Sequence, residues 1–286
     1  MRRSTKLTIA MSLVAGILAL SVRSAAANQF AFAVDNTESL FSVDLTAHSA
    51  TLIGNTGQFL QGLAVSPQGS LFGSDYLGNL FSVSKTTGAA TLIGSTGLGD
   101  IEGLAFRGTT LIGTNFSNLG GPTTVSAIDT ATAVPTTITS FSQGPVRAMA
   151  VSPLNTNTVD VASDSPVSQS LVSVNLLTGT NASLGQLPSA GADLIAALNF
   201  GTDGVLYALD PLGNEFTIAS NGAGILVGNT GGQYWLDLTM ASTVLDPPGD
   251  PPDAVPEPSS LALLLMAVLG LVGARTWQRS GGSPGS

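Results

Sequence analysis

Few residues in this chain are equipped for chemistry. His48 is the only histidine, cysteine is absent, and Lys and Arg together number nine in 286 residues. Without cysteine there is no thiol nucleophile, no thiolate metal site and no disulfide chemistry. A general base, or a Ser-His-Asp mechanism, would rest on His48 alone. No G-x-x-x-x-G-K-[ST] loop occurs, so a nucleotide phosphate cradle is not expected. Two carboxylate patterns remain. Asp100 and Glu102 in "GLGDIEGLAF" would share one face of a strand, and paired carboxylates serve glycoside hydrolysis. The plainer reading of that pair is a solvated approach to a strand. Asp35, Asp75, Asn115, Asp164 and Asp210 recur in "AVDN", "GSDY", "GTNF", "ASDS" and "ALDP". Five oxygen-bearing side chains around an axis would suit a hard cation such as calcium. Asp and Asn are equally at home in turns, where they bond the neighbouring backbone, and that reading is favoured. No catalytic residue and no resident cofactor are assigned, calcium being the one candidate.

The elements that must position these groups are repeats. "LFSVDLTAHSATLIGNTG" (40–57) returns as "LFSVSKTTGAATLIGSTG" (80–97), with twelve of eighteen positions identical. His48 aligns with Gly88, in a turn between two strands, and reads as a substitute for a turn glycine with no function of its own. Each copy belongs to a longer unit that opens on "QGLAVSPQGSLFGSDY", "EGLAFRGTTLIGTNF", "RAMAVSPLNTNTVDVASDS" or "AALNFGTDGVLYALDP". The units start at Gly62, Gly103, Ala148 and Ala196, at intervals of 41, 45 and 48 residues. Within a unit, apolar residues alternate over short Thr-, Val-, Ile- and Phe-rich runs separated by Gly- and Asp-rich turns, the pattern of strands. Four strands repeating every 40–45 residues describe propeller blades. Small residues in the first strand suit crowding near an axis. Residues 28–57 hold only the later strands of a unit, and "YWLDLTMA" (234–241) holds a first strand with nothing after it. Joined, they complete one shared blade. The fold expected is all-β: a propeller of five four-stranded blades closed by strands from both ends.

The ends themselves read as processing segments. Residues 1–27 combine Arg2, Arg3 and Lys6, the apolar run "LTIAMSLVAGILALSV" and the small residues "SAAA", the three parts of a secretory signal peptide cleaved after Ala27. At the other end, "STVLDPPGDPPDAVPEP" (242–258) contains six prolines, which favour an extended spacer. An uncharged apolar run, "SSLALLLMAVLGLVGA" (259–274), then precedes Arg275, Trp277 and Arg279. That run is shorter than the ~20 residues of a full membrane span, and its flanking arginines place its end on the cytoplasmic side. Between Asn28 and Ala254 three basic residues face seventeen acidic ones, a net charge of −14. Such a domain repels nucleic acid and other polyanions.

The C-terminal sequence resembles the PEP-CTERM sorting signal of Gram-negative bacteria, with Pro256, Glu257 and Pro258 as the motif and Arg275 and Arg279 as the basic flank. The resemblance implies handling by an exosortase, after signal peptidase has removed the leader, in bacteria that make exopolysaccharide. The division expected is a signal peptide (1–27), a propeller (28–241), a linker (242–255), a sorting signal (256–279) and a short tail (280–286). The function expected is that of an exported surface or matrix protein, held transiently in the membrane by its C-terminal segment. Its acidic propeller would bind a polysaccharide or an envelope protein. The alternative is an extracellular lyase or glycan hydrolase using axial carboxylates with calcium.

Overall fold

The computed structural model describes residues 29–115, 122–165, 168–188, 194–231 and 233–241. The expected signal peptide, linker and sorting signal with its apolar run lie outside the described residues. Among those described every regular element is a strand, and all pairing is antiparallel in five four-stranded sheets. Strands β1 (Phe30–Asp35), β2 (Ser39–Asp44) and β3 (Ser49–Asn55) begin one sheet. Blade one is β4 (Leu60–Val65), β5 (Leu71–Asp75), β6 (Asn79–Val83) and β7 (Ala90–Ser95). Blade two is β8 (Ile101–Arg107), β9 (Thr110–Asn115), β10 (Thr123–Ile128) and β11 (Pro135–Phe141). Blade three is β12 (Val146–Val151), β13 (Thr158–Ser165), β14 (Ser168–Asn175) and β15 (Asn181–Gln186). Blade four is β16 (Ala197–Phe200), β17 (Leu206–Leu209), β18 (Asn214–Ile218) and β19 (Gly224–Asn229). The last strand, β20 (Trp235–Met240), pairs with β1 and completes the shared blade in the order β20-β1-β2-β3.

The first strand of each blade is the inner one. β4 packs between β20 and β8, β12 between β8 and β16, and β16 returns to β20, so the ring closes. This is the five-bladed, doubly clasped propeller that the repeat count called for. Crowding at the axis explains its small residues: a Cβ on Gly62 would overlap the Ser74 hydroxyl. The apolar core is divided into five wedges, each filled by residues of two adjacent blades. At the closing blade, Trp235 is fully buried and meets Phe41 edge-on, with ring centroids 5.0 Å apart. Polar stitches add to this seam. The Leu63 amide donates to Asp237 Oδ2 at 2.6 Å, and the Val65 amide to Thr239 Oγ1 at 3.2 Å.

Between blades, the turn joining third and fourth strands presses on the preceding blade. Its key residue is Gly88, Ala133, Gly179, Gly222 or His48, and all five take positive φ, between 52° and 80°. Gly88 lies directly on Gly54, where a Cβ would overlap the carbonyl oxygen of Thr87. Backbone cannot give way there as a flexible side chain would. Gly54→Ala is expected to cost about 1–3 kcal/mol, the usual range for overpacking, read as a melting temperature several degrees lower.

Candidate functional site

Four of the five inner strands carry a bulge near their start. In β4 the register steps from Leu60 to Gly62, in β8 from Ile101 to Gly103, in β12 from Val146 to Ala148, and in β20 from Trp235 to Asp237. A bulge adds one residue and re-aims its side chain, and such features collect at barrel rims and beside sites. The extra residues are Gln61, Glu102, Arg147 and Leu236. All four line one cavity of about 250 Å³ at the axial mouth, together with Tyr234, Trp235 and Pro211. The sites follow from local backbone geometry: four blades each turn one side chain toward the axis.

The mouth is organised around Arg147. Its Nε donates to Asp164 Oδ2 at 2.6 Å, and its Nη1 lies 3.7 Å from Glu102 Oε2. Gln61 Nε2 donates to Glu102 Oε1 at 3.3 Å. Gln169 extends the network: its Nε2 donates to Asp164 Oδ1 and to the Ile195 carbonyl, while its Oε1 accepts the Ile195 amide at 2.7 Å. One cation thus faces several carboxylates in a partly dehydrated space. Burial pushes Glu102 up to about 8, against the pull of Arg147 and with repulsion from Asp100 and Asp164. Burial also raises Asp100 to about 6, opposed by Arg147 and aided by Asp75. At neutral pH Glu102 therefore keeps a proton and can both donate and accept.

The Asp/Asn series behaves as turn chemistry in the sidedness of its bonds. Asp35 accepts the amides of Thr37 and Ser39, Asp75 those of Leu77 and Asn79, and Asp210 those of Leu212 and Asn214. Asn115 Oδ1 accepts the Thr124 amide. Asp164 departs from the series. Ser163 pairs with Val146 as Asp75 pairs with Leu60, so Asp164 stands one residue later. Because side chains alternate along a strand, that single step turns it to Arg147. Among the described residues no three His, Asp or Glu side chains are grouped as metal ligands. Of Asp100 and Glu102, read from sequence as a solvated approach, Glu102 lines the mouth with Arg147, and Asp100 lies near enough to feel the Arg147 charge. Neither Arg147 nor Gln61 was singled out from sequence, and the signal that could have found them is their constant place just before the small residue opening each unit.

His48 sits in its turn with φ 52°, as its alignment with Gly88 requires. Sequence reading missed its partner. Nδ1 lies 2.5 Å from Oε2 of Glu215, a residue 1% exposed in the neighbouring blade four. Burial raises the Glu215 carboxyl, opposed by its bond to His48.

Comparison with known proteins addresses the ends and the fold separately. The family model for the PEP-CTERM protein-sorting motif matches residues 254–279. No curated protein sequence matches the chain. Similar solved structures include a chain of a nidogen/laminin complex, 11% identical, TM-score 0.49, covering 75% of this chain and 98% of that one. The WD40 β-propeller domain of Doa1 is 13% identical with a TM-score of 0.44, covering 73% and 82%. A gluconolactonase from Xanthomonas campestris is 14% identical with a TM-score of 0.49, covering 72% and 78%. The class is thus fixed by the chain's own strand topology and its tail: this is a five-bladed β-propeller joined to a PEP-CTERM sorting motif. The motif implies export and a passage through the membrane on the way to the surface.

Proposed function

We propose that the protein is an exosortase-sorted surface or matrix component whose propeller is a binding module, with the axial mouth as its ligand site. The observation that carries this reading is the sorting motif at 254–279 on a chain whose described body is a propeller. In this reading signal peptidase cuts after Ala27, residues 28–241 fold outside the inner membrane, and residues 242–255 link them to the sorting signal. An exosortase acts at Pro256, Glu257 and Pro258, with Arg275 and Arg279 holding the end cytoplasmic.

The mouth supports a ligand rich in hydroxyls. Tyr234 offers a half-exposed ring, and Gln61, Glu102 and Arg147 offer mixed donors and acceptors beside the apolar Pro211 and Leu236. Arg147 is balanced by Asp164, so no net positive charge invites polyanions. An uncharged stretch of exopolysaccharide fits these terms. Two measurements test the reading. Cell fractionation should find the wild-type protein at the surface or in the medium with its tail removed, and a variant with Pro256, Glu257 and Pro258 changed to alanine retained in the membrane at full mass. Equal distribution of the two would overturn the sorting role. On a panel of neutral glycans, binding that is lost in Glu102→Ala with no product release supports a module. Product release dependent on Glu102 would make the mouth an active site instead.

A further inference from the structure

The repeats supply an internal standard against which each blade can be compared. The position held by Glu215 in blade four is held by Leu40, Leu80, Val125 and Leu171 in the others, since each pairs with the equivalent residue of the second strand. All four are buried at 1% or less. The turn position held by His48 is held elsewhere by Gly88, Ala133, Gly179 and Gly222. Two departures from the repeat therefore occur at one seam, and they touch each other. Replacing a buried ion pair by well-packed apolar residues is often neutral or stabilising. Four seams of this same molecule show the apolar solution. Stability alone does not account for the fifth, and departures from local rules concentrate at functional positions.

His48, the outer member of the pair, also faces a cavity. About 460 Å³ opens beside the seam, lined by His48, Tyr207, Asp203, Thr46, Thr202 and Thr217 among others. Glu215 engages Nδ1, which leaves Nε2 of a 35%-exposed imidazole as the free nitrogen. Carboxylates orient histidines in this way, fixing which nitrogen carries the proton. The Tyr207 hydroxyl donates to Asp203 Oδ2 at 2.9 Å and so presents its lone pair. The groups around Glu215 are Asp44, Tyr207 and His48, with Asp203 beyond Tyr207. Among the described residues no Lys or Arg lines the cavity, which disfavours phosphate and carboxylate ligands.

We propose that this seam is a second binding site, in which the imidazole of His48, oriented by Glu215, accepts a hydroxyl of a neutral sugar beside the ring of Tyr207. The site is separate from the axial mouth, so its failure leaves the reading above intact, and the reverse also holds. Because the chain has a single histidine, its ring nitrogens can be followed alone in the intact protein labelled with ¹⁵N-histidine. The expected spectrum near neutral pH shows the proton on Nδ1. Titration with glucose, galactose, mannose and N-acetylglucosamine to millimolar concentration should shift Nε2 for at least one of them. A proton on Nε2 instead, or no shift with any of the four sugars, overturns the proposal. The double variant His48→Gly/Glu215→Leu copies the Gly88/Leu40 seam and should therefore fold. Calorimetry should show it binding the responsive sugar at least tenfold more weakly. Unchanged affinity would equally overturn the proposal. Should it not fold, His48→Asn serves in its place, since Asn tolerates positive φ and can still bond Glu215 while lacking Nε2; the same tenfold loss is expected and the same unchanged affinity refutes.

Discussion

Deleting residues 235–241 should abolish cooperative folding of the propeller. The deletion removes β20, which fills the inner position of the shared blade and packs against both β4 and β16. Trp235, Leu238 and Met240 lie in the wedge between blade four and the shared blade. Full burial of such side chains is worth about 1.5–3 kcal/mol each, so three of them approach a typical domain stability of about 5–15 kcal/mol. The loss also exposes the inner edge of β1 and leaves the Leu63 and Val65 amides without Asp237 and Thr239. Circular dichroism on heating should show no sigmoidal transition in the truncated chain. A transition within a few degrees of the intact protein would show that the clasp contributes little.

The second large effect concerns pH. Glu102 holds its proton to about 8 in the folded protein, against an ordinary value of 4.5. Between those two values the folded state binds more protons at this group than the unfolded chain. Stability drawn from Glu102 is therefore present at low pH and lost as pH rises through that window. Asp100 acts in the same direction between 3.8 and about 6. A shift of this kind amounts to several kcal/mol at about 1.4 kcal/mol per unit, offset in part by Arg147 rearranging toward the ionised carboxylate. Denaturant melts at pH 5 and pH 9 should show the wild type losing stability on going alkaline. Glu102→Gln, which keeps shape and hydrogen bonding without the titration, should lose about 2 kcal/mol less over that range. Parallel losses in both proteins would remove Glu102 as the cause.

The blade architecture was legible because identical positions in a repeat must solve the same packing problem. "LFSV" and "ATLIG" recur with their turn residues, and Gly88 predicted the left-handed backbone at His48. Even the incomplete units at the two ends pointed to β20 pairing with β1. The sites were less legible, for a geometric cause. Gln61, Glu102 and Arg147 converge because bulges in separate strands aim them at one axis, and a bulge leaves no mark in hydrophobic alternation. Asp164 shows the cost of a single step: "ASDS" aligns by eye with "GSDY", yet its carboxylate is one residue out of register and bonds Arg147. Glu215 was hidden differently. A lone acid in "NEFTI" reads as a solvent-facing residue until its strand is laid on "NLFSV", where the same place is a buried leucine.

The direction of β20 has a consequence for display. Trp235 and Leu236, at its start, line the axial mouth, while Ala241, just past its end, donates its amide to the carbonyl of Phe30, where β1 begins. Entry and exit of the folded body are thus side by side on the pole opposite the mouth. A tether continuing from Ala241 would grip the propeller by its back and leave the axial cavity facing outward, like a cup held by its base.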